Sequence, residues 1–167
     1  AAGFASIGFA APSLLRGPVR AADGEIAICG TWELTAPGIA NTAMLCERGS
    51  RLAVETVSKK IGLVATYAGL DSEGDPGKGV RKVSEQISQR NAKFFVGGAS
   101  SAVALAVSKE VNKANGVYVT TGGADELTGS DCAKSTFRWP VATYGAVEGT
   151  VRPLRQLLPQ AKRWFTI

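Results

Sequence analysis

The chain has no histidine, one methionine and three cysteines in 167 residues, and each scarcity removes a class of chemistry. Without histidine, a serine or cysteine nucleophile lacks its usual general base, and no G-x-S-x-G elbow is present. A zinc site of ordinary Cys/His spacing is excluded for the same reason. Cys29, Cys46 and Cys132 are too widely spaced to read as a metal cluster; one disulfide with a thiol left over and three unpaired thiols both remain open. Phosphate-loop chemistry has little support either. The G-x-G-x-x-G spacing is absent, and in Gly74-Asp75-Pro76-Gly77-Lys78-Gly79 the last glycine stands where a Walker motif needs Ser or Thr. No metal, cofactor or catalytic centre is therefore expected, and the chain is read as a non-enzyme.

Long apolar runs are also missing. The longest candidate, Ala5 to Pro12, is shorter than the roughly 20 residues a bilayer needs, and Pro12, Arg16, Gly17 and Pro18 prevent its extension. Stable membrane insertion is not expected. Residues 1–22 read instead as part of a signal peptide, with a short apolar core and small residues at Ala21-Ala22 for cleavage near Ala22. The net charge of +5, from 19 Lys+Arg against 14 Asp+Glu, is scattered along the chain and forms no basic stripe, which argues against a nucleic-acid partner.

What is present is alternation. Glu25 to Gly30 is a short apolar run ending in glycine, read as a buried strand, followed by a loop over Thr31 to Gly38. Asn41 to Lys59 has helix formers, with apolar Leu45, Leu52, Ala53 and Val57 and a weak point at Gly49. Ile61 to Leu70 reads as the next strand and Asp71 to Gly77 as a turn, after which Val80, Val83 and Ile87 fall at helical spacing. The pattern repeats with strand Lys93–Gly98, helix Ser101–Ala114 with Val103, Val107 and Val111 on one face, and a stop at Asn115-Gly116. Val117 to Thr121 is β-rich. A polar loop runs to Ser135, a short extended piece covers Thr136 to Trp139, and Val147, Val151, Leu154 and Leu158 mark a last helix despite Pro153. Arg163 to Ile167 reads as a further strand. The prediction is an α/β fold, a Rossmann-like parallel sheet flanked by helices, with its binding edge at the carboxyl ends of the strands.

Several loops on that edge are candidate contacts. Gly97-Gly98-Ala99-Ser100-Ser101 offers hydroxyls and backbone amides at a helix start, suited to an anion such as a carboxylate. Plain N-capping by Ser100 or Ser101 is the alternative. Trp32 and Glu33 offer an aromatic wall and a polar contact, or only a surface loop. Tyr144 is open between packing and a cleft contact.

Five segments, "LAVETV", "EGDPGKGVRKV", "FFVGGASSAVALAVSKEV", "GGADELTGSDC" and "STFRW", together resemble the branched-chain amino acid binding proteins and their aromatic- and amide-binding relatives. The early stretch "FASIGFAAPSLLRGPVRAAD" is similar to twin-arginine export leaders of such proteins. The resemblance implies a type I periplasmic binding fold, two lobes closing on a solute. It assigns residues 23–139 to the first lobe and 140–167 to the crossover and the start of the second. It further implies a periplasmic receptor that passes an amino acid, amide or aromatic or other small carboxylate to the permease of an ABC transporter. Carried onto this chain, the resemblance places the solute's carboxylate on Ser101, with Ser100 beside it, and on the loop Gly122, Gly123 and Ala124. A first-loop contact falls at Trp32 and Glu33, and Tyr144 lies near the hinge. Gly and Ala stand where amino-acid binders commonly present a Thr hydroxyl, which weighs against an ordinary α-amino acid. A Rossmann-type enzyme and a ligand-sensing module of a receptor are the competing readings.

Overall fold

The computed structural model describes residues 24–165; the expected leader and its cleavage site lie outside them. Five strands and four helices alternate along the chain. They are β1 (Ile26–Trp32), α1 (Ala40–Ile61), β2 (Ala65–Asp71), α2 (Pro76–Arg90), β3 (Phe94–Gly97), α3 (Ser101–Lys113), β4 (Val117–Thr120), β5 (Thr136–Arg138) and α4 (Thr143–Leu157). A 3-10 turn, Asp125–Thr128, interrupts the loop after β4. All strand pairs are parallel, in the order β2-β1-β3-β4-β5. The expected α/β architecture is therefore present. Among the described residues, no helix is long and apolar enough to cross a membrane.

The core lies between one face of this sheet and the helices α2 and α3. Alternation along each strand sends Cys29, Phe95 and Tyr118 to that face. There they meet Val83 of α2 and Val103, Val107 and Val111 of α3, all but fully buried. The spacing of the three valines puts them on one stripe of α3, as the sequence indicates. Local chemistry fixes the helix ends. Asp75 caps α2, its Oδ1 accepting from Lys78 N–H at 2.8 Å, with Pro76 in the first turn. Gly62, at φ 68°, closes α1 in the left-handed conformation.

The other sheet face is only partly covered. Helix α1 lies over β1 and β2 with Ala43, Glu47, Ser50, Val54 and Ser58 on its inward stripe, of which Ala43 and Ser58 are buried. The larger apolar residues of this helix point outward: Leu45 is 67% and Leu52 64% exposed, and Val57 is exposed too. The sheet beneath carries Tyr67, whose ring fills the space above Gly30. Toward β4 and β5 the face is open, with Phe94, Val119 and Phe137 exposed.

Several boundaries differ from those read in the sequence. Strand β1 continues through Thr31 and Trp32, because Trp32 pairs with Asp71 in the parallel ladder; Trp32 is strand, not loop. Helix α1 passes Gly49 without a break and runs on to Ile61, so β2 starts at Ala65. Its length and tertiary packing outweigh one glycine, which costs about 1 kcal/mol in a helix. Helix α4 continues through Pro153, as the sequence indicates, and none of its residues is buried. Arg163 to Phe165 form no strand, and Thr166 and Ile167 lie outside the described residues.

Candidate functional site

In an open parallel sheet the chain changes direction where two adjacent strands send their connections to opposite sides, and the crevice there is the usual ligand site. Here β1 is followed by β2 on one side, while β3 lies on its other side. The crevice is thus bounded by the loops leaving β1 and β3, with the loop after β4 next to them. These are the loops that carry Glu33, Gly97 to Ser101, and Gly122 to Ala124.

Glu33 closes the junction from within. Its side chain is fully buried, and its carboxylate accepts from Ala99 N–H and Ser100 N–H, each at 3.1 Å. Burial pushes its carboxyl above the usual range, against the lowering effect of the Ser100 and Ala99 amides. The expected seat for a solute anion is thereby narrowed. Two of its amides already hold a carboxylate belonging to the chain. The loop they belong to is shaped by Gly97 and Gly98, at φ 125° and 74°. A Cβ on Gly97 would stand 2.1 Å from Thr31 O, and one on Gly98 would stand 2.3 Å from Tyr118 Oη. That tyrosine is buried and donates to Gly97 O at 2.9 Å, so the loop is tied to the core from below; burial holds its phenol well above its ordinary value.

Ser100 is the N-cap residue of α3, yet its side chain makes no capping bond. The first-turn amides of a helix have no partner within it, which adds donors near the Ser100 hydroxyl. Ser101 Oγ accepts from Ala124 N–H at 3.2 Å, which leaves its own hydroxyl hydrogen for a further acceptor. Ser100, Ser101, Gly123 and Ala124 are partly exposed and meet at one place. Hydroxyl groups and helix-terminal amides together have the donors that a carboxylate or another polar acceptor requires.

The remaining candidates are placed otherwise. Trp32 is buried, and its indole N–H donates to Tyr67 Oη at 2.9 Å on the α1 side of the sheet, so it offers no wall to the crevice in this arrangement. Gly122 is buried against Ala104 and Leu127, and its N–H donates to Thr120 Oγ1 at 3.0 Å. Tyr144 lies 67% exposed in the first turn of α4, and its N–H donates to the Asp125 carboxylate at 3.1 and 3.2 Å. Cys29, Cys46 and Cys132 are unpaired.

Three residues of this edge are not among the candidates read from the sequence. Thr121, the first after β4, has a buried hydroxyl with no hydrogen-bond partner; it reads in sequence as one more strand residue. Asp71 at the end of β2 accepts from Leu34 N–H at 2.9 Å, Thr35 Oγ1 at 2.8 Å and Glu73 N–H at 2.9 Å, joining two loops of this edge. Burial alone would raise its carboxyl, but these bonds bring it below the ordinary value. Arg138 of β5 holds the loop after β4, donating to Ala124 O at 2.6 Å and Thr128 Oγ1 at 2.5 Å.

Residues 25–167 match the family model described as periplasmic binding protein. Among solved structures, the amino acid ABC transporter substrate-binding protein from Pseudomonas fluorescens Pf-5 is 47% identical over 86% of this chain, with a TM-score of 0.76. A solute-binding protein of an ABC transporter from R. palustris, in complex with benzoate, has the same fold at 22% identity, 80% coverage and TM-score 0.72. The isoleucine-bound branched-chain amino acid transporter substrate-binding protein from Streptococcus pneumoniae is 16% identical over 77% of the chain, with TM-score 0.64. The chain spans 38%, 38% and 39% of those three proteins. No curated protein matches it. With the family model covering nearly the whole described chain and the fold shared, the chain belongs to the periplasmic binding protein family.

Proposed function

We propose that the chain forms the first lobe of an extracytoplasmic receptor that binds a small solute and hands it to the permease of an ABC transporter. In this reading residues 1–22 belong to an export leader of twin-arginine type, removed near Ala22 before the protein acts in the periplasm. Residues 23–139 are the first lobe, and 140–167 are the crossover and the start of the second. The observation that carries the reading is the meeting of Ser100, Ser101 and Ala124 at the switch point of the sheet. The named relatives, which are substrate-binding components of ABC transporters, support it.

The solute class is an amino acid, an amide or a small carboxylate. Its acceptor end sits on the hydroxyls of Ser100 and Ser101 and on the first-turn amides of α3, while Glu33 keeps the amides of Ala99 and Ser100. The protein binds its solute and releases it unchanged; the energy of transport belongs to a separate ATPase. Trp32 and Gly122 support the site from behind, and Tyr144 stands at its rim near the crossover.

A thermal-shift screen of the full-length mature protein against amino acids, their amides and aromatic acids tests the reading, because a solute that binds only the folded state raises the melting temperature. Ser101→Ala in the same protein is expected to weaken binding of the solute found by about 1.5 to 3 kcal/mol, the loss of a hydrogen bond to a charged group. Unchanged affinity by calorimetry would remove Ser101 from the site.

A further inference from the structure

We propose that the peptide unit joining Gly123 to Ala124 couples the solute site to the crossover, with Thr143 and Arg138 as positioning residues for Ser101. The inference rests on the placement of the solute at Ser101. A peptide unit is planar and stiff, and its two polar ends here are engaged by different parts of the fold. The Ala124 N–H donates to Ser101 Oγ at 3.2 Å, on the first turn of α3. On the opposite end, Gly123 O accepts from Thr143 N–H at 2.9 Å and Thr143 Oγ1 at 2.8 Å, on the first turn of α4. Arg138, just before the crossover, donates to the same oxygen at 3.4 Å.

Two further ties make this a clamp. The Asp125 carboxylate accepts from Tyr144 N–H, and the Arg138 guanidinium reaches Ala124 O and Thr128 Oγ1. The positive charge of Arg138 is met by carbonyl and hydroxyl oxygens, since no carboxylate pairs with it among the described residues. Movement of the start of α4 away from the sheet draws Gly123 O with it and tilts the plane. The Ala124 N–H then leaves Ser101, whose hydroxyl loses the bond that orients its hydrogen. The seating of the crossover is thus read at the solute hydroxyl through one rigid group, the kind of link by which a hinge and a binding site share an equilibrium.

Thr143 is exposed, so Thr143→Val removes the hydroxyl donor without opening the core, and Thr143→Ser retains it. The test is hydrogen exchange of the Ala124 amide in the solute-free full-length protein, together with the three-bond couplings that report the Ser101 χ1 angle. Thr143→Val is expected to speed exchange at Ala124 about three- to tenfold, the effect of losing one hydrogen bond, and to average the Ser101 couplings. Thr143→Ser is expected to restore both, and Arg138→Met to act in the same direction as Thr143→Val. Amides of Val107 and Val111 in the same samples serve as the control for the fold. The double variant Ser101→Ala, Thr143→Val should exchange at Ala124 no faster than the faster single variant, because both substitutions release the same plane. Wild-type exchange and couplings in Thr143→Val, or multiplicative effects in the double variant, would overturn the coupling. These readings need no solute; if they hold while Ser101→Ala leaves solute affinity unchanged, the solute placement fails and the coupling stands.

Discussion

Glu33 shows how one side chain can hold a loop and limit what binds to it. A buried carboxylate is opposed by desolvation and favoured by hydrogen bonds to its charged form, and the amides of Ala99 and Ser100 supply two such bonds. Burial dominates, so the folded protein binds a proton at Glu33 more readily than the unfolded chain does. By linkage, its contribution to stability is full below the ordinary carboxylate range and declines as pH rises through the raised folded value. Glu33→Gln cannot titrate, and its amide nitrogen faces an N–H donor, leaving one of the two loop amides unpaired at a cost of about 1 to 3 kcal/mol. The margin of the wild type over this variant is expected to be larger near about pH 4 than near about pH 7. Urea unfolding of both proteins at the two pH values checks it, and a margin that grows toward neutrality would mean that the two amide bonds outweigh burial. This role was illegible in the sequence, because the residues that give Glu33 its partners lie far along the chain in another loop. The helix start at Ser100 and Ser101 was legible, since a glycine pair followed by two hydroxyl residues and an apolar helix is a local pattern.

At the scale of elements, the succession of strands and helices could be read because it rests on local periodicity. The core stripe Val103, Val107 and Val111 followed from its spacing alone, and the structure buries all three. Helix α1 could not be oriented in that way. Its inward stripe is Ala43, Glu47, Ser50, Val54 and Ser58, a row of mixed polarity, while Leu45 and Leu52 form a more apolar row that faces away. Which row turns inward is decided by the sheet beneath, where Tyr67 and Trp32 take up the space. Arg51 lies over the Tyr67 ring, 5.2 Å from its centroid, and contributes a cation-π contact at the helix edge. The buried stripe of α3 and the outward row of α1 make opposite predictions. Val107→Ala deletes buried methyl groups and is expected to cost about 2 kcal/mol of stability. Leu52→Ala, on a side chain 64% exposed, is expected to stay within about 0.5 kcal/mol. Chemical denaturation of each variant measures both; a large loss at Leu52 would mean that the outward row of α1 is covered in solution.

At the scale of the whole molecule, apolar surface and incomplete coverage meet in one argument. The chain spans 38% of the length of its 47% identical relative, and two groups of its uncovered apolar residues are clustered. Phe94, Val119 and Phe137 share the open face of the sheet, and Val147, Val151 and Leu154 form one row of α4 with Leu158 just past its end, none of it buried. Contiguous apolar area of this kind marks a surface that another part of the structure covers, or one that associates. In the proposed receptor, solute binding is a closing of two lobes, so the bound state draws its contacts from both walls of the crevice. Residues 23–167 alone are therefore expected to bind the solute of the full-length protein at least about tenfold more weakly, a loss of roughly 1.4 kcal/mol or more, and to self-associate through the open faces. Calorimetry and sedimentation of the two proteins side by side give both quantities. A monomeric 23–167 protein with the affinity of the full-length chain would show that Ser100, Ser101 and Ala124 make a complete pocket within this lobe, and the two-wall account would fall.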